Sequence, residues 1–184
     1  GKQPEILVDG ETFLPYAYHF SGGFFHSPLP ELPIVDECVK SGVHLYTITD
    51  EYYLNKVWPE EKRFNFVPFD HCIRNLLARD PKAKIILEPS LNMPKWWQMK
   101  YPGEIIRTFD PSRGWKTQLP SPASMQWRKD GARYLEALMK HMEKSDYARS
   151  IIAVLPSALQ TIEWIYWPLQ VRSSADMSDY SEAS

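Results

Sequence analysis

Only two cysteines occur among 184 residues, Cys38 and Cys72, 34 positions apart. They form no metal-type spacing and read as buried helix thiols. The histidines, His19, His26, His44, His71 and His141, form no HExxH or comparable pair, which removes the common zinc patterns and leaves no cofactor implied. A surplus of either charge is also missing. Basic residues number 21 and acidic residues 23, for a net charge of −2. That balance gives no footprint for nucleic acid or for an anionic membrane surface. No apolar run approaches the ~18 residues of a membrane span, and no signal-peptide pattern precedes Pro4. Gly-x-Ser-x-Gly is absent. So is a Gly-rich phosphate turn, since Ser21-Gly22-Gly23 lacks both the spacing and a helix directly after it. These absences exclude the nucleophile-elbow hydrolases and the common dinucleotide folds.

What the sequence does have is rings and prolines: 14% aromatics, with 7 Trp and 16 Pro. Sugar clefts are aromatic because pyranose faces stack on rings, but a large core needs aromatics as well. The length fits one domain over residues 1–184 around one core, with a polar stretch at 168–184.

Local patterns follow in order. Glu5–Phe13 alternates around Asp9-Gly10, a hairpin signal. Strand-like segments follow at Phe13–Phe20, Val43–Thr49, Ala83–Glu88 and Ile151–Leu155. Between them, helical spacing runs from Pro30 to Ser41 with Gly42 as the stop, and from Pro68 to Arg79 with Asp80-Pro81 as the stop. A third helix is predicted from Ser121 to Lys144, with Ala132, Leu135, Leu138, Met139 and Met142 facing inward. Pro89 to Pro120 reads as one long loop. A β-hairpin followed by β-α-β-α-β-α-β implies right-handed crossovers and a parallel sheet. The loops after the strands are long and aromatic, and those before them are short, which suits the working face of a β/α barrel. An open doubly wound sheet fits the alternation equally well, but its Gly-rich phosphate turn is lacking here.

Several ordered motifs sharpen this. The hairpin leads directly into the first strand. Trp58-Pro59-Glu60-Glu61 precedes Phe64-Asn65-Phe66 after the second strand. Pro94-Lys95-Trp96-Trp97 follows the third. Thr161-Ile162-Glu163-Trp164 ends the fourth, with Asp179-Tyr180-Ser181 later. In this order the chain resembles the N-terminal half of a (β/α)8-barrel glycoside hydrolase of the β-galactosidase, family forty-two type. The resemblance implies a parallel TIM-type barrel of which this chain carries the first four β/α repeats. It also implies a carbohydrate substrate and a retaining two-carboxylate mechanism.

By the same resemblance Glu163 is the general acid/base. A Glu held partly protonated among Trp164 and Trp167 can protonate a departing glycosidic oxygen. Tyr18 and His19 at the end of the first strand, and Glu88 and Asn92 after the third, are candidates for sugar hydroxyls; core packing or a salt bridge are the plain alternatives. Trp58, Trp96, Trp97 and Trp164 are candidates for stacking, against hydrophobic packing. A retaining enzyme needs a second carboxylate roughly 5–5.5 Å from the acid, and the family takes it from the seventh strand. Asp176, Asp179 and Glu182 stand too close in sequence to Glu163 to be carried over as that group. Four repeats leave open sheet edges, so self-association or completion by a second half-barrel is expected. A catalytically inactive carbohydrate-binding or interaction domain derived from such a barrel is the alternative.

Overall fold

A computed structural model describes residues 5–20, 32–50, 53–110, 114–158 and 181–183; for 32, 107–110 and 114–118 it describes the backbone alone. Strands β1 (Ile6–Val8) and β2 (Glu11–Phe13) pair antiparallel, with Val8 opposite Glu11. Asp9 and Gly10 turn between them with φ of 52° and 85°. Two successive positive φ values are what a two-residue primed turn requires, and Asp-Gly tolerates them.

The main sheet has four strands, all parallel, in the order β3 (Ala17–Phe20), β4 (Leu45–Thr49), β5 (Lys84–Glu88) and β8 (Ile151–Val154). Helices α1 (Leu32–Lys40), α3 (Val67–Arg79) and α5 (Met125–Glu143) make the crossovers, and a short helix α2 (Leu54–Val57) follows β4. Alternation sets the two faces of the sheet. Phe20, Tyr46, Ile48, Ile85 and Leu87 lie in the helix-packed core with Val35, Phe69, Ile73 and Leu76. His19, Thr47 and Glu88 lie on the other face. Helix α1 ends as its sequence dictates: Gly42 takes φ 75°, its N–H donates to the Val39 carbonyl, and Val43 N–H reaches back to Cys38. That pairing is a Schellman stop.

Two carboxylates, one buried and one partly buried, fasten α3 to its neighbours. Asp80, 1% exposed, accepts from Tyr46 Oη at 3.0 Å and from Lys82 N–H, and pairs with His44 Nδ1 at 2.8 Å. Asp70 on α3 contacts His141 Nε2 at 2.6 Å and accepts from the Tyr147 hydroxyl, which ties α3 to α5 and the turn beyond it. Burial, followed by the Asp80 bond, pushes the Tyr46 phenol far up, so it remains a donor.

Two expectations need correction. The stretch 89–120 is not a plain loop. It holds the short helix α4 (Lys95–Lys100), a 3₁₀ turn at Pro102–Glu104, and an antiparallel pair, β6 (Ile105–Asp110) with β7 (Gly114–Pro120). Ile105 to Phe109 and Trp115 to Leu119 are β-branched and aromatic runs around a turn-rich centre, a hairpin pattern hidden by the surrounding prolines. Helix α5 also starts later than Ser121, and its buried stripe is Trp127, Asp130, Tyr134, Leu138 and Met142, while Ala132 is exposed. Ser121 caps a turn, accepting from Ala123 N–H at 3.2 Å, whereas Ser124 Oγ accepts the Trp127 N–H at 2.9 Å and is the true N-cap. Ser124→Ala is therefore expected to lower the urea midpoint by the equivalent of ~1 kcal/mol. An unchanged midpoint would refute the cap assignment.

Candidate functional site

The carboxyl ends of β3, β4 and β5 bring three polar side chains together on the sheet face opposite the helices. His19 on β3 is paired in register with Thr47 on β4, and Thr49 with Glu88 on β5. Same-face neighbours in a parallel sheet meet, and these do. His19 Nδ1 lies 2.5 Å from Thr47 Oγ1, in a hydrogen bond, and 3.4 Å from Glu88 Oε2. The Glu88 side chain is 13% exposed and that of His19 47%. The cluster therefore has a wet rim and a drier floor. Burial raises the Glu88 carboxyl above the usual carboxylate range, and the His19 ring opposes that rise.

The sign of the linkage follows. A carboxyl raised in the folded chain binds a proton that the unfolded chain has released. Its contribution to stability is complete below the ordinary carboxylate range and is lost as pH rises through the raised folded-state value. Glu88→Gln is expected to remove that fall. The check is the difference between wild-type and variant unfolding midpoints from about pH 4 to pH 7; a difference that does not change with pH would contradict it.

Behind this cluster the strand ends are held by a buried network. Asp50, fully buried after β4, accepts Ser90 N–H at 2.6 Å and the hydroxyl of Tyr134 from α5. Burial first, then the Asp50 charge, push the Tyr134 phenol well up, so it stays a donor. Asn92 follows on the same loop, with its N–H on Ser90 Oγ at 3.3 Å. Next comes Met93 at φ 63°, a left-handed conformation rare outside glycine and asparagine. Trp127 Nε1 donates to the Leu91 carbonyl at 2.7 Å and clamps this loop onto α5. Gly131 faces this loop, and a Cβ there would sit in ordinary contact, 3.4 Å from Met93 Cε.

The tryptophans divide. Trp58 is 1% exposed and Trp97 is fully buried. Trp58 stacks on Tyr134 with ring centroids 5.3 Å apart, and Trp97 Nε1 donates to the buried Asp130 at 2.7 Å. Neither presents a ring face to a ligand, and both are core side chains. Trp96 is half-buried, edge-on to Trp58, and donates to its carbonyl at 2.9 Å, so part of its ring remains open. Tyr18 packs edge-on against Phe20 at 4.9 Å on the helix side of the sheet, away from His19. Glu163 and Trp164 lie outside the described residues. Thr47 is the residue that sequence reasoning missed. Its only sequence signal is same-face alternation with Thr49, since its partnership with His19 depends on register.

Among the described residues, no group of three or more His, Cys, Asp or Glu could hold a metal ion, and no helix is long and apolar enough to cross a membrane. A half-buried carboxyl, an imidazole and a hydroxyl at the carboxyl ends of parallel strands can bind and orient polar hydroxyl groups.

Comparison with known proteins fits this geometry. The chain superposes on a β-galactosidase from the psychrophilic Marinomonas ef1 with a TM-score of 0.60 at 13% identity, covering 91% of this chain and 23% of that one. For the enzyme from the Antarctic haloarchaeon Halorubrum lacusprofundi the values are 0.53 and 18%, over 76% and 20%. For Gan42B, a β-galactosidase from G. stearothermophilus, they are 0.52 and 17%, over 77% and 20%. At such identities the likeness establishes the fold, the first part of a TIM-type barrel. The chain spans between a fifth and a quarter of the length of these structures, 20–23%. No curated protein matches the chain. The model of the glycoside hydrolase family 42 β-galactosidases matches residues 34–150, from α1 to the 3₁₀ turn before β8, and the chain belongs to that family.

Proposed function

We propose that this chain supplies the acid/base side of a retaining β-galactosidase site. Glu163 is the proton donor to the departing glycosidic oxygen. His19 and Glu88 bind sugar hydroxyls, with Thr47 fixing the His19 ring. Asn92 extends that polar rim, and Trp96 and Trp164 offer ring faces to the sugar. The second carboxylate comes from sequence beyond these four repeats. The observation that carries the reading is the family match over residues 34–150. It runs up to β8, the strand whose carboxyl end leads to Glu163. The polar cluster of His19, Thr47 and Glu88 supports it, because it sits on the sheet face and at the strand ends where barrel enzymes place their chemistry.

The test is hydrolysis of an unactivated alkyl β-galactoside, with Glu163→Gln as the decisive variant. Turnover lost in that variant supports the proposal. Galactoside binding without turnover would replace it with a carbohydrate-binding role. Neither binding nor turnover, in a preparation that contains the remaining repeats, would overturn it.

A further inference from the structure

The stretch after β5 holds the chain at two places on either side of Glu163. The first hold is beside the strand end. Leu91 N–H donates to the Ser157 carbonyl at 2.7 Å, Ser157 N–H donates to the Pro89 carbonyl at 3.0 Å, and Ser90 and Ser157 form a parallel bridge. Ser157 is 2% exposed and Ala158 fully buried, so this hold is dry. The second hold lies at the 3₁₀ turn Pro102–Glu104 of the same stretch. There Glu182 N–H donates to the Gly103 carbonyl at 2.9 Å. Ser181 beside it is 7% exposed. The turn is itself fixed, because Ser121 N–H donates to the Glu104 carbonyl at 2.8 Å.

Gly103 is not in a left-handed conformation, so its backbone does not require glycine. Its surroundings are tight, but against the tip of a flexible side chain. A Cβ at 103 would lie 2.9 Å from Glu182 Cδ and 3.4 Å from Glu182 Cβ, and the carboxylate oxygen is closer still. The glycine makes room for the Glu182 side chain. Contacts between residues this far apart in sequence close long loops, and the entropy of closure must be offset by the contact itself.

We propose that the Gly103 carbonyl and the Glu182 N–H are positioning groups, a second mount that returns the Glu163-bearing stretch to the same platform it departs from at Ser157. The proposal rests on the assignment of Glu163 only for its catalytic consequence; the mount itself stands on the described contacts. It gives the 3₁₀ turn at Pro102–Glu104 a role in the site, beside those proposed for Asn92 and Trp96 of the same stretch.

Three variants test it. Glu182→Pro deletes the N–H, and Glu182→Ala keeps it. Gly103→Leu fills the space that Glu182 occupies; Gly103→Ala would displace only the flexible carboxylate tip. Hydrogen exchange across peptides 159–180 is the readout, with peptides from β3 to β5 as internal reference. Glu182→Pro and Gly103→Leu are expected to speed exchange at 159–180 roughly fivefold or more, the equivalent of one backbone bond of ~1 kcal/mol. Glu182→Ala should change it less than about twofold, and the sheet peptides should hold throughout. Equal exchange in the Pro and Ala variants overturns the mount. Sheet peptides that accelerate along with 159–180 in both Glu182→Pro and Gly103→Leu overturn it too, since the contact would then support the whole fold. In a preparation that hydrolyses nitrophenyl β-galactoside, Glu182→Pro should lower kcat with KM nearly unchanged. A mount confirmed by exchange, with no hydrolysis even in the wild type, sinks the Glu163 assignment and leaves the mount standing.

Discussion

Asp50→Ala is expected to destabilise the chain by about 3–5 kcal/mol, a large part of the ~5–15 kcal/mol typical of a domain. The reason is geometric. The carboxylate is fully buried and takes the Ser90 N–H and the Tyr134 hydroxyl, joining the ends of β4 and β5 to the middle of α5. Alanine would strand two buried donors, each costing ~1–3 kcal/mol unsatisfied, and would leave a small void beside Tyr134. That ring carries the stack with Trp58, so the loss spreads into the aromatic core. Tyr134→Phe removes one donor and keeps the ring, and should cost less than half as much. Urea denaturation of the three proteins decides the matter. A loss under about 1 kcal/mol for Asp50→Ala would show that the network is dispensable.

The second large effect concerns chemistry. Glu163→Gln is expected to slow hydrolysis of an unactivated galactoside by ~10²–10⁴-fold, the usual contribution of a positioned general acid. The loss must depend on the leaving group. A dinitrophenolate departs without a proton, so its glycoside should be cleaved nearly as fast by the variant while the first bond breaks. The alkaline limb of the rate profile, where a general acid loses its proton, should vanish in the variant. Equal losses for poor and good leaving groups would remove Glu163 from the proton-donor role while leaving it a possible binding residue.

The legible parts of this fold were those written in periodicity. Apolar, β-branched and aromatic runs marked β3, β4, β5 and β8, and the 3.6-residue stripes of α1 and α3 matched the helices found. Asp9-Gly10 and Gly42 were legible because few residues tolerate their backbone angles. What was hidden depended on distance in sequence. The β6–β7 pair was masked by prolines, and the choice between Ser121 and Ser124 as cap was settled by which hydroxyl meets the first free helical N–H. Aromatic content could not separate Trp58 and Trp97, which are buried, from Trp96, which keeps an open edge. The sequence suggested His19 and Glu88 separately, but their meeting beside Thr47 is a product of strand register.

The interruption of β8 has a consequence for the solution behaviour of the chain. Its register with β5 runs to Val154, Leu155 donates to the Leu87 carbonyl at 2.7 Å, and beyond Pro156 the pairing resumes where Ser157 N–H donates to the Pro89 carbonyl at 3.0 Å. Pro156, between those two inward donors, brings no N–H to the opposite edge. In the described sheet β8 is an outer strand only four residues long, followed by this residue. The proline thus shortens the row of backbone donors that this border presents, and a short, interrupted row is a poorer template for a chance strand.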